Sequence, residues 1–586
     1  MSFGGRRFVG AASSGRAGGC DQAPPSEFER GRWPIGQTAA PESRSAASGG
    51  SHPLIFRAVP PAWAATETMS TKTAAPETAP DPKTPIPPQI PFIIGNEGCE
   101  RFSFYGMRNI LTVFLVSSLL LHVPEADRAG AAKDVFHTFV IGVYFFPLLG
   151  GWLADRFWGK YQVIFWLSLL YCVGQLCLAL FVDNRTGFYF GLALIALGSG
   201  GIKPCVSSFV GDQFDQTNKH RAKVVFDAFY WIINFGSFFA SLLMPTFLKQ
   251  LGPAIAFGIP GALMFISTVI LWLGRKRYVM VPPAPADPHS FLNVSRTALA
   301  SGRPGFFLAS AGGVLAAASF LLVPSSGFVI SFCTALVAVI ACGGAGVWLQ
   351  LEGARGRHPD EAVDGVRAVL RVLVLFALVT PFWSLFDQKA STWVLQANAM
   401  TKPSWFESSQ MQALNPLLVM ILIPCNNLVL FPAMKRMGFE LTALRRITIG
   451  IVFSGLSWVV VGAMQVVLDG GQAFSIAWQV LPYALLTLGE VLVSATGLEF
   501  AYSQAPQSMK GVLMSFWLLS VTIGNLWVLV VNAGVKNTAV TNLIGSTGFG
   551  VTAFQMFFFA AFAFVAALAF GLRARSYRVA DHYRKA

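Results

Sequence analysis

Fourteen apolar segments, most of them about 20 residues or longer, follow one another between residues 92 and 572. They cover 92–121, 134–154, 161–182, 187–209, 223–247, 254–273, 305–323, 327–349, 367–387, 411–433, 442–467, 474–502, 510–533 and 549–572. A helix of that length crosses a hydrocarbon core about 30 Å thick. The expected fold class is therefore all-α and polytopic. Charged residues make up 12% of the chain, against about 25% in a soluble domain. With 51 Phe and 15 Trp, that composition excludes a disordered chain and argues against an ordinary cytosolic enzyme.

Residues 1–91 are different. They are rich in Gly, Ser, Ala and Pro and read as a disordered extension. No apolar stretch precedes a small-residue cleavage site, so no signal peptide is expected. Met69 opens M-S-T-K-T-A-A-P and reads as an alternative start. The eight cysteines (Cys20, Cys99, Cys172, Cys177, Cys205, Cys333, Cys342 and Cys425) form no C-x-x-C or Cys/His pair with metal-ligand spacing. They read as reduced packing residues, and no metal is expected.

Lys and Arg are placed unevenly. With the N-terminus inside, inner loops and the tail hold Arg275-Lys276-Arg277, Lys435-Arg436, Arg445-Arg446 and Arg573 to Lys585. The outer loops hold Arg128, Lys133, Arg185, Lys249, Lys402 and Lys536. The bias is about fourfold, which puts both termini in the cytoplasm. It also accounts for most of the +14 net charge without nucleic acid. The basic tail 573–586 is free to contact anionic membrane lipid.

Charges inside apolar segments are costly, roughly 2.5–3.5 kcal/mol at the bilayer centre, so the exceptions carry information. The first segment holds Glu97, Glu100, Arg101 and Arg108. At about 100° per residue these share an arc of roughly 140° with Phe104 and Tyr105. That face must line a wet cavity or pair internally. Lys203 sits in G-S-G-G-I-K-P-C, late in the fourth segment, and His137 in the second. Asp387 and Lys389 close the ninth segment, where an interface pair between them is one reading. Glu490 lies in the middle of 474–502, with Ser494 one turn on, while Asp227 and Glu499 stay unassigned. Cations in the first half (Arg101, Arg108, Lys203) facing an anion in the second (Glu490) suit a short zwitterion. Asn234 and Asn415 are amides able to bond peptide groups, and Tyr144, Tyr230, Trp383 and Trp517 are amphipathic wall residues.

Fourteen segments divide as six, two and six, with the uncharged pair 305–323 and 327–349 as a peripheral hairpin. The expected domains are a six-helix bundle at 92–273, a linker with the hairpin at 274–366, a second bundle at 367–572 and the tail. Two six-helix bundles plus an inserted two-helix hairpin, around a central cavity, is the arrangement of a major facilitator fold.

Five stretches carry a closer resemblance. E-G-C-E-R-F-S-F-Y-G (97–106) resembles the E-x-x-E-R-F-x-Y-Y-G signature of the proton-dependent oligopeptide transporter family. G-G-W-L-A-D-R-F-W-G (150–159) resembles the major facilitator loop motif, and F-Y-W-I-I-N-F-G (229–236) the family's F-Y-x-x-I-N-x-G. F-W-S-L-F-D-Q-K-A-S-T-W (382–393) and G-E-V-L-V-S-A-T-G-L-E-F-A-Y-S-Q-A-P (489–506) are similar to helices 7 and 10 of bacterial and animal peptide transporters. The resemblance implies proton coupling by Glu97, Glu100, Arg101, Lys203, Asp387 and His137. It implies a gate pair of Arg108 and Asp387. It implies a peptide site with Arg101, Arg108 and Lys203 at the carboxylate end and Asn234, Asn415 and Glu490 at the amino and amide side. Tyr105, Tyr144, Tyr230, Trp383 and Trp517 would line its walls, with Ser494 near Glu490. Two positions depart from the pattern: Phe104 stands for the first Tyr of the signature, and Phe386-Asp387 for an acid pair seen in some bacterial members.

The expected function is proton-coupled symport of di- and tripeptides by alternating access, in a bacterial inner membrane, by a functional monomer. Protons are the coupling ion and no other cofactor is expected. No G-x-x-x-x-G-K-[ST] is present to bind ATP, and no covalent chemistry is implied. Two alternatives remain at this point: a carrier of nitrate or another small anion on the same fold, and a peptide sensor that does not transport.

Overall fold

The structure, a computed structural model, describes residues 85–577 other than 216, 217, 284, 286, 439 and 505–508, and does not describe the side chains of 219, 220, 223 and 502. Most of the extension expected over 1–91, with Met69 and Cys20, and the tail beyond 577 lie outside the described residues. Among the described residues fourteen helices are long and apolar enough to cross a membrane. They are α1 Ile90–Leu119, α2 Glu125–Trp158, α3 Lys160–Leu180, α4 Arg185–Asp212, α5 Val224–Leu251, α6 Pro253–Gly274, α7 Arg303–Ser326, α8 Phe328–Ala354, α9 Asp360–Asn398, α10 Ser408–Arg436, α11 Ala443–Asp469, α12 Ile476–Ala501, α13 Lys510–Gly534 and α14 Val551–Ser576. In lipid a helix satisfies its own backbone, which is why apolar runs of this length become helices here. Ends are set by local chemistry: Asn184 accepts from the Gly187 N–H at 3.1 Å ahead of α4, and Pro91 occupies the first turn of α1.

Packing separates two bundles. In α1–α6, α1 packs on α5 and α6, and α3 on α4 and α6. In α9–α14, α11 packs on α12 and α14, and α9 on α13 and α14. Each bundle has its own buried apolar cluster. The bundles meet chiefly through α2 against α13 and α5 against α10. Helices α7 and α8 pair with each other and leave most of their surface outside the fold. Their contact with the bundles is specific. Cys333 of α8 packs with Ile141 of α2 and with Leu526 and Leu529 of α13, and Phe332 stacks edge-to-face on Phe145 at 5.2 Å. The hairpin therefore docks over the seam between the two bundles.

Two features were not foreseen in the sequence. Span α9 does not stop at 387: a 3-10 turn over Gln388–Ala390 leads into a further helix, Thr392–Asn398, whose residues are mostly buried. A ten-residue amphipathic helix, Phe291–Ala300, sits in the linker with Val294 and Ala298 buried. Four spans contain a π turn: Leu115–Leu119, Ala154–Trp158, Asn426–Leu430 and Val491–Ala495. Such turns are frequent at functional sites, and the last begins directly after Glu490. The seven cysteines among the described residues are free thiols.

Close approach of α2 and α4 depends on glycine. A Cβ added at Gly150 would run into the Gly200 carbonyl and sit 2.7 Å from the Gly201 Cα. Backbone atoms on both sides cannot give way as a side chain can, and small residues are what allow membrane helices to touch. The variant Gly150→Leu is expected to lose about 3 kcal/mol or more, seen as a lost monodisperse peak in detergent. An unchanged thermal midpoint would show that the contact relaxes freely.

Candidate functional site

Four charged side chains of α1, Glu97, Glu100, Arg101 and Arg108, are all buried. Arg101 Nε lies 3.1 Å from Glu97 Oε1 and also donates to Glu100 Oε2. One guanidinium thus serves two carboxyl groups. Glu100 Oε1 is buried and has no hydrogen-bond partner among the described residues.

Lys203 of α4 approaches the same region from the side. Its ammonium lies 4.4 Å from the centroid of the Phe104 ring and 4.1 Å from that of Tyr144. Cation–π attraction holds it there, and among the described residues no carboxylate is within ion-pair distance. It remains within electrostatic reach of Glu97 and Glu100. The Phe104 substitution noted in the sequence therefore places a bare ring, without a hydroxyl, under the ammonium.

Arg108, about two turns further along α1, crosses between the bundles. Its Nη2 reaches Asp387 Oδ1 of α9 at 2.6 Å. Asp387 Oδ2 accepts from Asn525 Nδ2 of α13 at 2.8 Å. Because Asn525 Nδ2 donates, its Oδ1 is the acceptor for His137 Nδ1 of α2, 2.6 Å away. The neutral imidazole then accepts at Nε2 from Ser391 Oγ, 2.9 Å away. Five side chains from four helices form one chain of hydrogen bonds. Around it, Thr112 donates to the Ala390 carbonyl at 2.8 Å and Gln412 to the Asn109 carbonyl at 3.2 Å. Further out, Asp134 bonds Lys536 and Asn532, and Lys249 pairs with Glu407 at 2.5 Å. The bundle end where α1 finishes is thus tied across the two halves.

The interface pair considered between Asp387 and Lys389 does not form. Asp387 is committed to Arg108, and the 3-10 turn aims Lys389 elsewhere. Its Nζ lies 3.3 Å from the Phe386 ring centroid and donates to Asn415 Oδ1 at 2.7 Å. Asn415 Nδ2 in turn donates to Glu490 Oε2 at 2.5 Å and to Thr487 Oγ1 at 3.1 Å. Lys389, Asn415 and Glu490 are therefore one polar unit of the second bundle. Glu490 is half-buried and within electrostatic reach of Tyr105 on α1 and Tyr230 on α5.

The remaining candidates are less tightly drawn in. Trp383 and Trp517 are buried and stack edge-to-face at 5.8 Å. Tyr105 and Tyr144 are half-buried, whereas Tyr230 is 46% exposed. Asn234 spends its Nδ2 on the Tyr230 carbonyl of its own helix at 3.0 Å. Ser494 lies half-buried in the π turn after Glu490. Asp227 and Glu499 are exposed. Sequence reasoning missed Asn525, Ser391, Gln412 and the place of Lys389. For Asn525 a signal existed: it is an amide inside an apolar helix, as Asn415 is.

The arrangement can hold a charged molecule at both ends and exchange protons with it. Cations cluster on α1 and α4, an acid lies on α12, and Tyr105 is within electrostatic reach of Arg101, Arg108 and that acid.

Known proteins bear on this geometry. A family model described as the POT family matches residues 161–549. The chain is 30% identical over 441 residues to solute carrier family 15 member 2 of Mus musculus, covering 69% of this chain and 54% of that protein. It is 31% identical over 413 residues to solute carrier family 15 member 1 of Homo sapiens, covering 65% and 52%. The chain spans about half the length of the curated relatives it matches. Among solved structures, that of an auto-inhibited POT family peptide transporter superposes with a TM-score of 0.83 at 66% identity, covering 85% of this chain and 99% of that one. Fourteen membrane-length helices in a major facilitator fold, the α1 charge cluster and these matches together place the chain in the POT family.

Proposed function

We propose that the protein imports di- and tripeptides with protons by alternating access, as a bacterial inner-membrane protein with both termini in the cytoplasm. It catalyses no covalent reaction and needs no cofactor beyond the proton. What supports this reading is the placement of buried Arg101 and Arg108 and half-buried Lys203 in the first bundle and Glu490 in the second, with Tyr105 within electrostatic reach of Arg101, Arg108 and Glu490. A peptide's carboxylate goes to the cations. Its ammonium goes to Glu490, and its amide groups to Asn234 and Asn415. Tyr105, Tyr144, Tyr230, Trp383 and Trp517 make walls that tolerate varied side chains, with Ser494 beside the amino end.

Coupling follows from competition for the cations. While Glu97, Glu100 and Asp387 are ionised they hold Arg101 and Arg108. A proton on one of these carboxyls removes the charge that holds its arginine, and the freed guanidinium takes the peptide carboxylate bidentately. His137 takes part in the coupling through Asn525, whose amide joins the imidazole to the Asp387 carboxyl and holds that carboxyl in place while it gains or loses its proton. Loss of the Arg108–Asp387 tie releases one end of the bundle while the other end closes.

The test is uptake of labelled di-alanine into proteoliposomes with an inward proton gradient and a negative interior, with tri-alanine, free alanine or nitrate as competitors. Gradient-dependent uptake that acidifies the lumen and yields only to tri-alanine supports symport. Binding without proton flux sinks it in favour of a sensor. For Glu490→Gln, loss of a charge-assisted bond of about 1.5–3 kcal/mol predicts a 10- to 100-fold fall in dipeptide uptake. A variant with unchanged uptake removes Glu490 from the site.

A further inference from the structure

A cavity lined by none of the α1, α4 or α12 charged residues lies between the hairpin and the second bundle. Its volume is about 570 Å³, and α8, α9, α13 and the end of α14 line it. Trp348 and Gly344 come from α8, Val374 from α9 and Phe516 from α13. The other lining residues are apolar except Thr380 and Ser520, whose hydroxyls donate to carbonyls of their own helices, and the two charged groups are Arg371 of α9 and Arg573 of α14.

Both arginines belong to the bundle end where α8 and α14 finish and α9 begins. Two neighbouring arginines at this end are matched. Arg355 pairs with Glu352, Asp360 and Asp364, and Arg367 with Glu352 and Asp364. Arg371 lies one turn deeper than Arg367, about 6 Å further into the span. Among the described residues neither Arg371 nor Arg573 forms an ion pair. The Arg371 guanidinium lies 5.8 Å from the Trp348 ring centroid, and Arg573 donates to Ser576 Oγ at 3.0 Å. Both act on one point: burial pushes the Tyr577 phenol up to about 12, and both guanidiniums oppose that rise. An exposed, unpaired arginine within an apolar span is costly unless an anion joins it.

We propose that this groove binds one anionic phospholipid, its phosphate on Arg371 and Arg573 and an acyl chain lying along α8, α9 and α13. The apolar length takes the hydrocarbon and the paired cations take the headgroup, a combination that neither a soluble anion nor a neutral lipid satisfies. Because the groove is walled by the hairpin on one side and by α9 and α13 on the other, the lipid is also the element that completes the hairpin's attachment on that side.

The test uses the full chain, purified and stripped of lipid, and titrated with phosphatidylglycerol or phosphatidylcholine of identical acyl chains. Native mass spectrometry counts the lipids retained. Phosphatidylglycerol is expected to be held at least 10-fold more tightly, and millimolar inorganic phosphate is expected not to displace it. Arg371→Gln with Arg573→Gln should bring the two lipids level, whereas Arg371→Lys with Arg573→Lys should keep the preference. The variant Ala341→Trp, which fills the groove without touching either arginine, should lower retention of both lipids. Phosphatidylglycerol brominated on its chain should quench wild-type fluorescence more than that of Trp348→Phe. Equal retention of the two lipids by the wild type, an unchanged preference in the double Gln variant, or equal quenching with and without Trp348 would each overturn the assignment. The wild-type arms do not depend on any variant folding.

Discussion

Replacing Glu100 by Gln is expected to abolish proton-driven accumulation of peptide while leaving exchange of peptide across the membrane intact. The reason is the charge balance of α1. Glu97 and Glu100 both contact the single guanidinium of Arg101, while the Lys203 ammonium stands off over the Phe104 and Tyr144 rings, so with both carboxyls ionised one of them has no cation of its own in contact. Glu100 is fully buried, and its Oε1 has no partner among the described residues. A buried excess charge is expensive in a medium of low dielectric, and a proton on that oxygen removes it. Gln fixes the neutral form. Arg101 then stays available to a peptide carboxylate, so binding and exchange persist, but the proton cycle that ties translocation to the gradient is broken. Each charge moved across 100 mV is worth about 2.3 kcal/mol, or about forty-fold accumulation at 1.4 kcal/mol per decade. In proteoliposomes with an imposed potential, the wild type should approach that ratio, and Glu100→Gln should stop at one-to-one while still exchanging labelled for unlabelled peptide. Accumulation above one-to-one with lumen acidification, in the Glu100→Gln variant, would take Glu100 out of the proton path.

The spans and the α1 face are the parts of this molecule most legible in its sequence, for related physical reasons. A membrane-crossing helix needs a long apolar run, so the fourteen runs announce themselves. A charge within such a run needs a partner or a cavity, so Glu97, Glu100, Arg101 and Arg108 stand out, and the helical period places them on one face. What the period cannot give is the partner on another helix. Arg108 meets Asp387 across 279 residues and His137 meets Asn525 across 388, and neither spacing leaves a trace in local pattern. Proximity in sequence even misleads: Asp387 and Lys389 are two residues apart, yet the turn after Asp387 sends one to Arg108 and the other to Asn415. The stretch 388–398 lies beyond the apolar run that ends at 387. It is buried because its polar groups meet others: Ser391 and the Ala390 carbonyl serve His137 and Thr112. The hairpin was visible as two uncharged spans. Its seat over α2 and α13 rests on Phe332 and Cys333, which look like any other apolar residues.

Removing the Arg108 side of the interbundle pair is expected to open the end where α1 finishes, and removing both sides is expected to do less harm than removing one. Arg108 and Asp387 are both buried and in contact at 2.6 Å. In the single variant Arg108→Gln, Asp387 has only neutral amides as donors, that of Asn525 among them, and stays buried with an unmatched charge. Breaking a buried pair in this way costs about 3–5 kcal/mol. Part of that cost is relieved when the two halves separate and water reaches Asp387, so the equilibrium moves toward the form open at this end by about 100-fold or more. The double variant Arg108→Gln with Asp387→Asn leaves two neutral amides able to bond each other and Asn525, so most of the shift should be recovered. Distances between spin labels on the α2 and α13 ends near Asp134 and Lys536, which touch in this structure, read the opening directly. A long-distance population should dominate in the single variant and shrink in the double. Peptide uptake should stay low in both, since Arg108 is also one of the cations proposed to take the peptide carboxylate. The contrast between variants is what separates a gate from a packing contact: a pair that only packs would leave the label distances unchanged in all three proteins, whatever happened to uptake.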